Sequence, residues 1–162
     1  GIPFAVEALA RPGVPKACRL HVIGRGPLEA EIRRRAQAAG VGDRVHLLGF
    51  RDNIYDYLAH LDLLLMPSLH EGLPYTLLEA WSLGCPLAVS RTGGLAEVLP
   101  PGPGAALYEV EDVDGIAAAI VAAVGEREAG RPNLSPCPHT LDAMGGCYLA
   151  LMRNLAARPG AS

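Results

Sequence analysis

The strand-like runs of this chain are largely apolar rather than cleanly alternating, and helix-like segments separate them. Residues 19–23, 44–48, 62–66, 86–90 and 105–108 are the five strand candidates. Helical patterns cover 2–10, 27–39, 53–61, 75–83, 95–99 and 115–124. A strand with one wet face alternates apolar and polar residues, whereas a strand covered on both faces reads as a continuous apolar run. The pattern therefore predicts an α/β fold: a doubly wound, Rossmann-like parallel sheet with helices on both faces. Such sheets bind ligands at the carboxyl ends of their strands. Residues 24–27, 49–51, 68–74 and 90–94 fall there.

Turn chemistry supports these boundaries. Pro27 suits a first helical turn and Gly40 a helix C-terminus. Asn53 can cap the helix through Leu61, and Asp112 or Asp114 the helix from Gly115. The organisation expected is a domain over 1–124, a surface loop rich in Gly, Pro and charge over 125–140, and a last helix over 141–157. The apolar face of that helix must dock on this sheet or on a partner domain.

At 162 residues, half of them hydrophobic, the chain is long enough for one sizeable core and too apolar for global disorder. A net charge of −3 and the lack of a basic stripe argue against a nucleic-acid partner. Cys18, Cys85, Cys137 and Cys147 form no C-x-x-C pair, which favours a reducing cytoplasm over a disulfide framework. No apolar run approaches the ~20 residues that span a bilayer, and no signal peptide opens the sequence. Peripheral membrane contact stays open.

The stretch Pro67-Ser-Leu-His-Glu-Gly-Leu-Pro-Tyr-Thr-Leu-Leu-Glu-Ala80 follows the most apolar strand. It carries Glu71 in a loop and Glu79 inside an apolar helix. A helix start offers free N–H groups and the positive dipole end to an anion. Carboxylates accept paired hydrogen bonds from sugar hydroxyls. The unit suits a phosphorylated, hydroxyl-rich ligand. Glu79, set among Leu77, Leu78, Ala80 and Trp81, needs a partner if buried. That partner is either a ligand hydroxyl or a structural ion pair or cap.

Other motifs have plainer readings. Gly24-Arg25-Gly26 lacks the third glycine of a dinucleotide fingerprint, Glu29 standing there. It is a tight strand-to-helix turn or a nucleotide-lining one. Asp112-Val-Asp114 reads as helix capping rather than a metal site, and Cys137-Pro-His139 as incidental. His21 and His46 read as strand residues, and Arg33-Arg-Arg35 as a solvated helix surface. His70 either faces a ligand beside Glu71 or is structural.

Four blocks then occur in order: Leu-His-Val-Ile-Gly-Arg-Gly-Pro (20–27), Val-His-Leu-Leu-Gly-Phe (45–50), the stretch 67–80, and Gly-Cys-Pro-Leu-Ala-Val-Ser-Arg-Thr-Gly-Gly-Leu-Ala-Glu-Val (84–98). Together they resemble the C-terminal, nucleotide-sugar-binding domain of retaining GT-B glycosyltransferases of the "group 1" family. The resemblance runs in register from Gly1 to about Val124. It implies one half of a GT-B architecture and transfer of a sugar from a nucleoside diphosphate sugar with its anomeric configuration kept. Glu71 would face the donor sugar near the reacting centre, with His70 beside it. The amides at Gly72 and Leu73 would meet sugar hydroxyls. Glu79 would hold the ribose, the amides of Tyr75, Thr76 and Leu77 the diphosphate, and Gly49, Phe50 and Arg51, with Gly24 and Gly26, the base. The scheme needs no metal or cofactor, and no nucleophile is assigned.

The family pattern also has a Gly-Arg segment and a Lys-Gly pair ahead of the position of Gly1, and an N-terminal acceptor-binding domain. The chain is therefore expected to be inactive alone, and any membrane contact to run through the part it lacks. The remaining readings are a sugar-nucleotide epimerase of the same fold and a non-catalytic binding or scaffold module. A phosphorylase is disfavoured because no pyridoxal-phosphate lysine motif is present.

Overall fold

The computed structural model describes residues 1–130 together with Cys137, Pro138, Asp142 and Ala143. The order is α1 (Ile2–Leu9), β1 (Leu20–Ile23), α2 (Glu29–Ala38), a 3-10 turn (Gly42–Arg44), β2 (Val45–Gly49), α3 (Ile54–His60) and β3 (Leu64–Met66). Then come α4 (Tyr75–Ser82), β4 (Leu87–Ser90), α5 (Leu95–Val98), β5 (Ala105–Tyr108) and α6 (Val113–Glu128).

All strand pairs are parallel. Leu20 pairs with Val45, and Leu64 with Leu87, which pairs in turn with Ala105. The expected single sheet is, however, two: β1–β2 and β3–β4–β5. No ladder joins β1 to β3 among the described residues, and residues of both line one cleft.

The helices divide between the two faces. One core gathers Val6, Leu9, Ile32, Ala36 and Ile116 from α1, α2 and α6 over Ala88 and Tyr108. The other gathers Leu58, Leu77, Trp81 and Leu95 from α3, α4 and α5 over Leu87 and Val89. Successive residues of β4 thus enter opposite cores, as the pleat requires. All four residues of β4 are buried, which is why its sequence shows no alternation.

Helix ends follow the glycines. After α2, Gly40 takes φ 69° while its N–H donates to Gln37 O and the N–H of Val41 to Ala36 O. After α4, Gly84 takes φ 68°, its N–H donating to Trp81 O and that of Cys85 to Ala80 O. Both are Schellman closures, and the left-handed residue is where a Cβ is penalised.

Several expectations are corrected. Asn53 occupies the N-cap of α3 but makes no capping bond; its amide donates to Asp56 Oδ2 at 3.2 Å. α6 continues to Glu128, so residues 125–128 of the expected loop are helical. Arg127 pairs with Asp62 at 3.1 Å and Glu126 accepts from Gly104 N–H at 3.2 Å, holding that end despite Gly125. The rest of 125–140 and the helix expected over 141–157 lie almost wholly outside the described residues. Among the described residues no helix is long and apolar enough to cross a membrane.

Candidate functional site

The segment between β3 and α4 is fixed from below by polar contacts to the β4–α5 turn. Buried Ser90 donates its hydroxyl to Ser68 O at 2.6 Å. Thr92 Oγ1 donates to Leu69 O at 3.1 Å. Gly93 lies so close that a Cβ there would collide with the Glu71 carbonyl, and one on Gly94 would stand 2.9 Å from Gly72 O. Two glycines in succession let one backbone lie directly on the other. The loop carrying Glu71 is therefore a supported surface.

Glu71 is half-buried and accepts from Ser68 Oγ at 3.2 Å. Glu79, on the second turn of α4, is also half-buried, and Oε1 accepts from the Tyr55 hydroxyl at 2.9 Å. The carboxylate raises the pKa of that phenol, first through the hydrogen bond and then through its charge. Among the described residues neither glutamate forms an ion pair. The salt-bridge reading of Glu79 is thereby displaced by a neutral, exposed partner. A carboxylate has about four acceptor positions, so most of its capacity stays open.

α4 starts without a side-chain cap, Pro74 standing extended at its N-cap. The first turn tightens so that the Leu77 N–H donates to Pro74 O at 3.1 Å. Leu77, expected among the phosphate-facing amides, is therefore engaged, and its side chain is wholly buried. Among the described residues the N–H groups of Tyr75 and Thr76 have no backbone acceptor, and they carry the positive end of the helix. His70, Gly72 and Leu73 are exposed on the loop before it.

The first two strands bring the other glycines together. The N–H of Gly24 donates to Gly49 O at 2.8 Å, with φ of 121° and 69° at the two residues. Gly26, Phe50 and Arg51 are exposed beside them, Phe50 to 64%. Tyr55 follows in α3, so its bond to Glu79 ties this corner to α4. Phe50, Tyr55, Leu73 and Tyr75 are large apolar or aromatic side chains left exposed on the carboxyl-end loops and adjoining helix starts.

The sequence brought Glu71, Glu79 and the amides to one strand–loop–helix unit. It missed Tyr55, Ser68, Ser90 and Thr92. Tyr55 carries no motif of its own, and only the Thr92-Gly93-Gly94 turn signalled a close approach. The motifs read plainly stay plain: Asp112 caps α6 through Gly115 N–H at 2.8 Å, and Asp114 pairs with Arg11. Arg33, Arg34 and Arg35 pair with Glu29, Glu31 and Glu7 on the surface. His139 lies outside the described residues. No cluster of three metal-ligating side chains occurs among the described residues. One cavity lies away from the glutamates, between the two sheets, and of the stretch 67–80 only Pro67 and Thr76 line it.

Residues 1–126 match the family model of the glycosyl transferases group 1. The chain belongs to that family. It is similar, at 30% identity over 98% of its length, to the lipopolysaccharide core biosynthesis glycosyltransferase LpsE of Rhizobium meliloti, 47% of which it covers. It is 33% identical over 78% of its length to the N-acetyl-alpha-D-glucosaminyl L-malate synthase of Bacillus anthracis, covering 33% of that protein. The chain thus spans less than half the length of these curated relatives. Among solved structures, the sucrose-phosphate synthase of Thermosynechococcus elongatus superposes with TM-score 0.73 at 26% identity, over 95% of this chain and 43% of that one. Anabaena HepE, solved in complex with UDP, superposes with TM-score 0.79 at 20% identity, over 96% of this chain and 44% of that one. The α/β architecture with parallel strands is the one shared by GT-B glycosyltransferases.

Proposed function

We propose that this glycosyl transferases group 1 chain binds the donor of a retaining sugar transfer, a nucleoside diphosphate sugar, as the C-terminal half of a GT-B enzyme. The observation that carries the reading is Glu79: half-buried and, among the described residues, outside any ion pair and bonded to an exposed phenol. It stands one turn into the helix whose first amides are open. A ribose diol can pair with that carboxylate while the diphosphate meets Tyr75 and Thr76 N–H. The sugar then falls over Gly72 and Leu73, with Glu71 and His70 beside it. The base lies toward Gly49, Phe50, Arg51, Gly24 and Gly26, where an exposed aromatic ring is available.

The contribution to chemistry is electrostatic. Charge grows on the leaving diphosphate, and fixed N–H dipoles at the start of α4 stabilise it without reorganising. Neither a metal nor a cofactor has a part in this scheme, and Glu71 binds and orients the sugar. The acceptor and its binding domain belong to the rest of the enzyme, so this chain alone is expected to bind donor without transferring it. Among the described residues Cys18 and Cys137 form no disulfide, and a reducing, cytoplasmic setting is the one this reading assigns.

Calorimetric titration of the chain with UDP-, GDP- and ADP-glucose at millimolar concentration tests the reading. One of the three should bind with 1:1 stoichiometry, and no transfer of sugar to water or acceptor should follow. Absence of binding by all three contradicts it and returns the chain to a scaffold role.

A further inference from the structure

The hydroxyl of Tyr55 does something that its ring does not need. The side chain is 56% exposed, so water could satisfy the phenol. The hydroxyl donates instead to Glu79 Oε1 at 2.9 Å, across 24 positions of the chain. The helix beneath fixes where the phenol stands. Leu58, three positions on, is buried in one cluster with Leu77 and Trp81 of α4, and Ile54 packs against the same cluster. α3 is thereby seated on α4, and helical residues three apart share a face. Tyr55 reaches Glu79 from a rigid mount.

The type of donor decides what the contact can do. A phenol supplies a single O–H, whereas an arginine fork takes both carboxylate oxygens and a lysine cancels the charge. Among the described residues no cation pairs with Glu79, and no hydrogen bond reaches its Oε2. One oxygen is tethered, and the other is left to a ligand with the negative charge intact. A half-exposed glutamate otherwise samples several rotamers, and ordering it at the moment of binding lowers affinity. A charge-assisted bond made beforehand removes that loss. The phenol stays a donor into alkaline conditions, because the carboxylate holds its pKa above the ordinary value.

We propose that Tyr55 is the positioning residue of Glu79: it holds the carboxylate in the rotamer that receives both ribose hydroxyls, and so makes the chain select ribonucleoside over deoxyribonucleoside diphosphates. The inference rests on the donor-binding reading and adds to it a residue outside the stretch 67–80. The acceptor count allows both contacts at once. A carboxylate has about four acceptor positions, of which the phenol takes one and a diol two. Tyr55 acts through Glu79 and not on the sugar.

The test is calorimetric titration of wild type, Tyr55→Phe, Glu79→Gln and the double variant. The probes are whichever of UDP, GDP and ADP binds wild type, together with its 2′-deoxy and 3′-deoxy analogues. Tyr55→Phe keeps the ring, and its melting temperature should match wild type. Wild type should prefer the ribonucleotide about tenfold or more, as expected for a hydrogen bond to a charged group. Tyr55→Phe should bind the ribonucleotide about three- to tenfold more weakly and the deoxy analogues as wild type does, which erases most of the preference. In the Glu79→Gln background the same change should have little effect, since no carboxylate is left to orient. A merely structural role would weaken all the nucleotides alike in both backgrounds, and that result would overturn the proposal. So would an undiminished preference in Tyr55→Phe, or tighter binding by it, which would make the phenol a competitor of the ribose. Those results leave the donor reading standing. A wild type that shows no preference, or binds none of the three nucleotides, removes the ribose role of Glu79 and this inference with it.

Discussion

At the scale of residues, the account rests on what each carboxylate touches. Glu79 has an exposed hydroxyl for a partner, so its removal leaves no buried charge behind and the substitution is clean. Glu79→Gln should leave thermal stability within about 0.5 kcal/mol and weaken nucleoside diphosphate binding by about 1–3 kcal/mol, a lost charge-assisted hydrogen bond. Calorimetry with free nucleotide reads this, and equal affinity in the variant would dismiss the ribose role. The same contact is visible without ligand. Tyr55 has a raised pKa because the phenol donates to Glu79 and its anion would face that charge. A raised acid pKa favours the folded state below pH ~10, and that contribution is lost as pH rises through the folded value. Ultraviolet titration should place two tyrosines above the ordinary range, Tyr55 through Glu79 and Tyr108 through burial, and Glu79→Gln should return only the first. His21 has the opposite shift, lowered by burial and by His46, whose ring stands edge-on at 5.1 Å. Its contribution is present above pH ~6.5 and lost as pH falls toward the folded value. His21→Asn should flatten the stability–pH slope below pH ~6.5, measured by urea unfolding.

At the scale of elements, the sequence was legible wherever the physics is local. Gly40 and Gly84 mark helix ends because only glycine takes φ near 70° without penalty, and both stand where expected. Gly84→Ala should cost about 1–2 kcal/mol in stability, read by thermal melting. Gly93→Ala differs, since its Cβ would meet the Glu71 backbone: it should disturb the loop and cut donor binding more than its melting temperature accounts for. What the sequence hid were contacts set by tertiary approach. Tyr55 reaches Glu79 across 24 positions and Ser90 reaches Ser68 across 22, and no local pattern encodes either. The end of α6 was misjudged because Gly125 and a run of charges look like a loop. Pairs made by Arg127 and Glu126 with distant residues extend the helix instead.

At the scale of the whole molecule, continuous apolar strands predicted a sheet covered on both faces, and the two cores either side of β4 are that sheet. The same logic failed at β1 and β3, whose sequences belong to an interior and whose edges line a cleft. Slowest exchange is accordingly expected in β4 and faster exchange in β1 and β3. The proposed donor site, by contrast, needs only the carboxyl ends of the strands and the supported loop between β3 and α4. Amide shift mapping by NMR during titration with a nucleoside diphosphate sugar tests this most directly. The account predicts the largest changes at Tyr75 and Thr76, with further changes at Gly72, Glu79 and Gly49–Arg51. Changes confined to the cleft between the sheets, or to surfaces away from α4, would contradict it.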